Sequence, residues 1–530
     1  VQLNTGCITH NIVLGGSSSM KNKSSKNKIV VPPNHSLVSR REFLAHGLIA
    51  GTGVVLAPTF LGMIANRVYG QIEPTGCEFP SASNSKVPVI VIDLAGGGSI
   101  AGSNVLVGKS AGQTAFLEDY TALGRPSTRH PAITGVDSSM GIAFHPDSGI
   151  LNGILTTTNA EIRSKVDGAI ACAISNDDTA TNPHNPLMWL SKYGLSGNLV
   201  SIAGTTTRAS GGNSTIPADS YSAKLRAVRI ANPNEAINLG SLGQLANDLD
   251  PDRARAILRT ANSMSVGQLD KFNSLDLPAQ VKEIAACGYI NSNEMPIRFN
   301  ETVLNPSLDS TLVGAGGVYA ESTATFTNNE IRKEATIAKM VLDRFSGSAV
   351  IEKSGYDYHG DPRQSQHRKD FEAGQAIGRF LSAAARKGSS LLIYVMTDGG
   401  LTSDGIVDNV QNFDVNGAVT GELYQANRFV NDAGQAASAF MLFYNHRATR
   451  DSQAIVKNGN RQVGWFRSVS GRVGVDPASS VLADNVTNLS KWVVLNYLAL
   501  HGEEGRLSEI VGDNPFSGDL AKYLVFNRVA

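Results

Sequence analysis

Residues 346 to 400 read SGSAVIEKSGYDYHGDPRQSQHRKDFEAGQAIGRFLSAAARKGSSLLIYVMTDGG: a strand, a polar loop, a helix, a second strand and a second polar loop. The first strand runs into Gly355-Tyr356-Asp357-Tyr358-His359. There Asp357 and His359 stand two residues apart and so project from one face, a carboxylate beside an imidazole. A helix is expected over 371 to 387, because Phe371, Ile377, Phe380, Leu381 and Ala384 form one apolar stripe and Gly388 stands where a left-handed cap would end it. Leu391-Leu392-Ile393-Tyr394-Val395-Met396 is apolar at every position, the pattern of a strand covered on both faces. Such a strand delivers Thr397-Asp398-Gly399-Gly400 to the carboxyl edge of a sheet, where open α/β sheets place their ligands and metals.

The same grammar recurs on either side. Val87 to Leu94 is an apolar strand that breaks into Ala95-Gly96-Gly97-Gly98-Ser99, as close backbone approach at a sheet edge requires. The glycines lack both the GxGxxG spacing and a Walker Lys-Ser/Thr pair. That argues against a nucleotide loop and leaves a tight turn and a site loop as the two readings. Further strands are expected at 168 to 174, Leu199 to Ala203, Leu225 to Ile230 and Ala439 to Tyr444. Helices are expected at 252 to 264, 268 to 286, 334 to 345 and Leu489 to His501, while 401 to 430 reads as a polar, Asn- and Gly-rich region. Strands alternating with helices predict an α/β fold with a doubly wound, mainly parallel sheet and helices on both faces. One domain would span 87 to 530, with a helical insertion at about 250 to 345.

Composition narrows the function classes. Lys plus Arg number 46 and Asp plus Glu 46, so a net charge of zero gives no electrostatic case for binding nucleic acid. Near the N-terminus, Ser39-Arg40-Arg41-Glu42-Phe43-Leu44 precedes a mildly apolar segment, 47 to 64, and then Arg67-Val68-Tyr69-Gly70. This resembles a twin-arginine export signal, with Arg40 and Arg41 as the pair read by the translocase. It implies cleavage after Gly70, a linker over 71 to 86, and a periplasmic or secreted product folded before transport. Gly47, Gly51, Gly53, Pro58 and Gly62 dilute the apolar segment, so no permanent membrane span is expected. Of Cys7, Cys77, Cys172 and Cys287, three would survive cleavage, an odd number that cannot complete a disulfide framework. Cys172 lies in an apolar run and reads as a buried thiol.

The leader, the glycine turn, the His145-Pro146 helix start, Pro183-His184, the Gly355 to His359 segment, the Met396-Thr397-Asp398-Gly399-Gly400 loop and the Asp432-Ala433-Gly434 turn occur in an order similar to that of a known family. The chain resembles the exported domain-of-unknown-function family fifteen-oh-one, within the alkaline phosphatase and sulfatase superfamily, over about residues 87 to 510. The resemblance implies an alkaline-phosphatase-like fold and a metal-assisted hydrolase ancestry. The family's Gly-Trp-Asp-Thr-His pattern matches at Asp357 and His359, which with Asp398 become the expected metal ligands. Asp93, His184, His367 and Asp432 are additional candidates for the site.

Elsewhere the motifs are eroded. The acid of Gly-Gly-x-Asp-Gly is missing from Gly97-Gly98-Ser99 unless Asp93 substitutes, and Ser-His-Phe has become Pro183-His184-Asn185, leaving Thr179 or Thr181 as alternative hydroxyls. Ser-Glu-Phe-Gly-Arg keeps a carboxylate at Asp398 and loses its arginine, and Asp-His-Gly has become Asp432-Ala433-Gly434. Such a set suits one divalent ion (Zn, Mn, Mg or Ca) better than two with a nucleophile. Two functions are therefore expected side by side. One is metal-dependent hydrolysis of a phosphate or sulfate ester. The other is a non-catalytic periplasmic or surface protein that binds a small molecule, glycan or partner through the old pocket or through polar insertions at 205 to 220 and 401 to 430.

Overall fold

The run VIVIDL at Val89–Leu94 carries aliphatic side chains on both faces and is fully buried, so it can sit only inside a sheet that is covered on both sides. The computed structural model describes residues 86–175, 184–206, 227–240, 298–358, 363–397, 399–414, 417–448, 460–469 and 472–529. The expected leader, nearly all of the linker and the expected helices at 252–264 and 268–286 lie outside these residues.

We number the strands of the main sheet along the chain: β1 Val89–Leu94, β2 Val166–Cys172, β3 Val200–Gly204, β4 Val228–Arg229, β5 Ser346–Lys353, β6 Leu391–Thr397, β7 Ser438–Tyr444 and β8 Gln462–Val463. They form one eight-stranded sheet in the order β8-β2-β7-β6-β1-β5-β3-β4. Every pairing is parallel except the two made by β7, which runs antiparallel between β2 and β6. The sheet is therefore mixed.

The alternation along β1 assigns the layers. Ile90, Ile92 and Leu94 join one apolar cluster with helices α1 (Gly149–Thr157), α3 (Asn329–Leu342) and α4 (Arg363–Arg386). Val89 and Val91 join a second cluster with α2 (Leu187–Lys192) and α5 (Val486–His501). Among the described residues no helix is long and apolar enough to cross a membrane.

Several boundaries differ from the sequence reading: the helix expected at 334 to 345 is Asn329–Leu342, and the strand expected at Leu225 to Ile230 is Val228–Arg229. Helix α4 begins eight residues before the expected 371, at Arg363, because Gln366, His367 and Asp370 are polar yet fully buried and so break the apolar stripe without leaving the core. Strand β5 stops at Lys353, short of Asp357. The polar region 401–430, to which the sequence assigns no element, is largely a hairpin, Leu401–Phe413 paired antiparallel with Val419–Asp432. Its ribbon is tied to the core by Leu401, Phe413 and Phe429.

Helices α1 and α4 approach closely enough that glycine is required. A Cβ on Gly153 would lie 2.1 Å from the Phe371 carbonyl oxygen, and one on Gly374 would lie 2.0 Å from the Ile150 carbonyl oxygen. Backbone cannot yield as a flexible side chain can. We predict that Gly374→Val lowers stability by about 2–3 kcal/mol or prevents folding, since the helices must separate. Gly518→Ala, where nothing lies within 4 Å of the added Cβ, should stay within about 0.5 kcal/mol of wild type in the same thermal unfolding measurement.

Candidate functional site at the carboxyl edge

Strands β1, β5 and β6 are parallel neighbours, so their carboxyl ends lie on one edge. Backbone groups that leave the ladder there find partners across loops. Ala95 N donates to the Lys353 carbonyl at 3.1 Å and Tyr356 N donates to the Ala95 carbonyl at 3.1 Å, which joins the exit of β1 to that of β5. The Thr397 hydroxyl donates to the Leu94 carbonyl at 2.9 Å and accepts from Gly98 N at 2.6 Å, which joins β1 to β6. Gly96 and Gly97 have φ of +114° and +108°, where a side chain would be strained. A Cβ on Gly96 would also meet Asp357 N at 2.6 Å. Gly399 packs toward Gly97, with 3.9 Å between its would-be Cβ and the Gly97 Cα. The loops that carry the expected ligands thus converge.

Asp357 is exposed between two buried tyrosines, Tyr356 and Tyr358. Each tyrosine is anchored to α4: Tyr356 donates to the Lys369 carbonyl at 2.6 Å and Tyr358 to Asp370 Oδ1 at 2.9 Å. Behind them, Asn104 donates to Asp370 Oδ2 at 3.0 Å and accepts from the Ser148 hydroxyl at 2.8 Å. This network holds the loop so that the carboxylate faces outward. His359 and Asp398 lie outside the described residues, although both flank described loop residues in the chain. Among the described residues no group of three His, Cys, Asp or Glu side chains is gathered as a metal would require.

The remaining expected residues spread over both sides of the sheet. Asp93 is fully buried within β1, in register with Glu352 and Met396, rather than in the glycine turn. It shares the Val89 and Val91 face with Tyr394, whose hydroxyl is pushed up by burial and further by the Asp93 charge. His367 lies on α4, fully buried, with its ring stacked on Phe413 at 6.2 Å. Asp432 is the last residue of the hairpin, paired with Leu401, and the next residue, Ala433, donates from its N–H to the Gly400 carbonyl at 2.7 Å.

His184 stands at the end of β2 rather than beside Asp357. Its Nε2 lies 2.9 Å from the Ser175 hydroxyl, and Ser175 N donates to the Gly434 carbonyl at 3.0 Å. This hydroxyl–imidazole pair escaped the sequence reading, which looked for a hydroxyl at Thr179 or Thr181. Ser175 follows the apolar run 168–174 as directly as Thr397 follows the apolar run 391–396, and that position was the available signal.

Burial decides the protonation of His184 and His145. His184 is pushed down from 6.5 to about 4, and His145 is held well below its ordinary range by burial and then by the Arg125 and His130 charges. Both are neutral at pH 7. Between pH 6.5 and about 4 the unfolded chain binds protons that folded His184 refuses, so stability falls as pH is lowered through that window. The His184 share is on the order of 3 kcal/mol when complete. Urea unfolding should show a lower midpoint at acid pH than at neutral pH, and His184→Gln should flatten that dependence; an unchanged slope in the variant would refute the assignment. No protein-family model matches the chain, and no curated protein or solved structure matches it either.

Proposed function

We propose that the protein is an exported, alkaline-phosphatase- or sulfatase-like hydrolase of phosphate or sulfate esters. In this reading its carboxyl-edge hollow has kept a single cation position, formed by Asp357 with His359 and Asp398, on a doubly wound relative of that fold. The observation that carries the reading is the approach of Asp357 to the Gly96 turn and of Gly399 to Gly97, which gathers at one edge the loops the resemblance singles out. Asp357 suits a ligand role: its carboxylate is exposed while its neighbours are locked. A divalent ion bound there would supply Lewis-acid polarisation of an ester oxyanion. The chain's own part is to orient the ester. The Gly96 to Gly98 turn lets the backbone come close, and the Thr397 hydroxyl fixes that turn.

A second reading, binding without turnover, is favoured by the Ser175–His184 pair. Both residues are 2% exposed, so this hydroxyl is not offered to a solvent-borne ester. Metal analysis of protein folded in vivo, together with aryl phosphate and aryl sulfate assays, separates the two. The hydrolase reading expects about one bound divalent ion per chain, lost in Asp357→Ala with at least about a tenfold fall in affinity, and turnover that falls with it. Metal without turnover leaves the binding reading. Absence of metal, or full retention of it in Asp357→Ala, removes the proposed cation position.

A further inference from the structure

Apart from that hollow, two cavities of about 590 and 610 Å³ open side by side along α4 and share Thr157 and Val318 in their walls, forming one groove. Its long wall is a single stripe of α4, in which Arg368, Glu372, Gln375, Arg379, Ser382 and Arg386 recur at every third or fourth residue. At 1.5 Å per residue the stripe is roughly 27 Å long, which suits a chain molecule better than a compact one.

In the floor two cations face one carboxylate, and the carboxylates of the walls are each matched by a cation: Glu330 by Lys333 and Lys353, Glu372 by Arg368 and Glu161 by Lys165. Fully buried Glu334 accepts from Lys353 Nζ at 2.6 Å and from Arg379 Nε at 2.7 Å, which occupies both of its oxygens. Those two cations depress its carboxyl to about 2 against the opposing effect of burial, so it stays charged. Arg379 is 9% exposed and, among the described residues, makes no further hydrogen bond. Its Nη nitrogens are not sealed off, so their N–H groups are left for an acceptor from outside the chain. Seven residues further along the same stripe, exposed Arg386 has no carboxylate partner among the described residues. In the cavity that holds Arg386 the wall is largely hydroxyl and amide, from Thr156, Thr158, Asn159 and Ser382, beside the paired Glu161 and Lys165. A peptide groove would need apolar pockets for anchor side chains. The aliphatic lining here is scattered, at Ile162, Val318, Ile331 and Ala385, and the rings present are those of Tyr319, Tyr356 and Tyr444.

We infer that this groove binds a linear acidic oligosaccharide bearing a carboxylate on alternate sugars. One carboxylate sits on the free fork of Arg379 and the next on Arg386, about 10.5 Å further along the helix, while ring hydroxyls between them meet the threonine wall. The forked guanidinium supplies two parallel donors to a carboxylate, a geometry lysine cannot copy.

Calorimetric titration of the full-length protein with hyaluronan hexasaccharide, maltohexaose and a hexaglutamate peptide tests this. The acidic sugar should bind saturably and more weakly as salt rises, and the neutral sugar and the peptide should not bind. Arg386→Glu, at an exposed and unpaired position, should weaken binding by about tenfold or more, the loss expected for a charge-assisted hydrogen bond, while leaving the unfolding midpoint unchanged. Arg379→Lys keeps a positive charge opposite Glu334 and should weaken binding similarly. The inference is overturned by absence of saturable binding of the acidic sugar, by equal binding of hexaglutamate or maltohexaose, or by affinity that survives both substitutions.

Discussion

Where β1 leaves the sheet, a carbonyl and an amide lose their ladder partners inside a region with little water to replace them, and one hydroxyl serves both. Thr397 gives its proton to Leu94 and takes one from Gly98, so a single side chain on β6 sets the path of the glycine turn. Everything at the carboxyl edge depends on that path. The turn must lie where it does for Gly96 to meet Asp357 and for Gly97 to meet Gly399, and its left-handed φ values are available only because no Cβ is present. Valine would match threonine in shape but would leave both backbone groups unpaired, each a cost of about 1–3 kcal/mol.

Buried charge is handled by pairing. Asp309 receives Lys339 at 2.8 Å and also Lys387, which also reaches Asp343 at 2.6 Å, so one acidic cluster clamps the segment before α3 to α3 and to the end of α4. These cations hold the Asp309 carboxyl well below its usual range although burial opposes them. Glu334 makes the corresponding clamp between α3, β5 and α4. Removing one partner of such a pair leaves a stranded ion, which is more damaging than never having had the pair. The two clamps therefore act as locators for α4, the helix that also carries the tyrosine anchors of the Asp357 loop.

Much of this architecture was legible in local pattern. Val89–Leu94 and Leu391–Thr397 announce themselves because every side chain is apolar, and the glycines after the first of them mark where the backbone must come close. The start of α4 was not legible, since Gln366, His367 and Asp370 look like surface residues. Their burial rests on partners outside the helix itself, such as Tyr358 and Asn104. The hairpin was hidden for another reason: the apolar residues of its first strand, Leu401, Ile406, Val407, Val410 and Phe413, are irregularly spaced and give no period of two. At the candidate site the loops could be read from the strands that end in them. The pairing of Ser175 with His184 could not, because it depends on a side-chain contact rather than on spacing.

The reversed strand β7 has a further consequence. It alone joins β2 to β6, yet it is synthesised after both, and β8, which covers the other edge of β2, comes later still. Until the ribosome has delivered these last segments, two apolar strands present open hydrogen-bonding rims to whatever chain is nearby. Attachment of β2 to the rest of the sheet must therefore wait for β7, and during that interval the nascent molecule is vulnerable to pairing with the wrong neighbour.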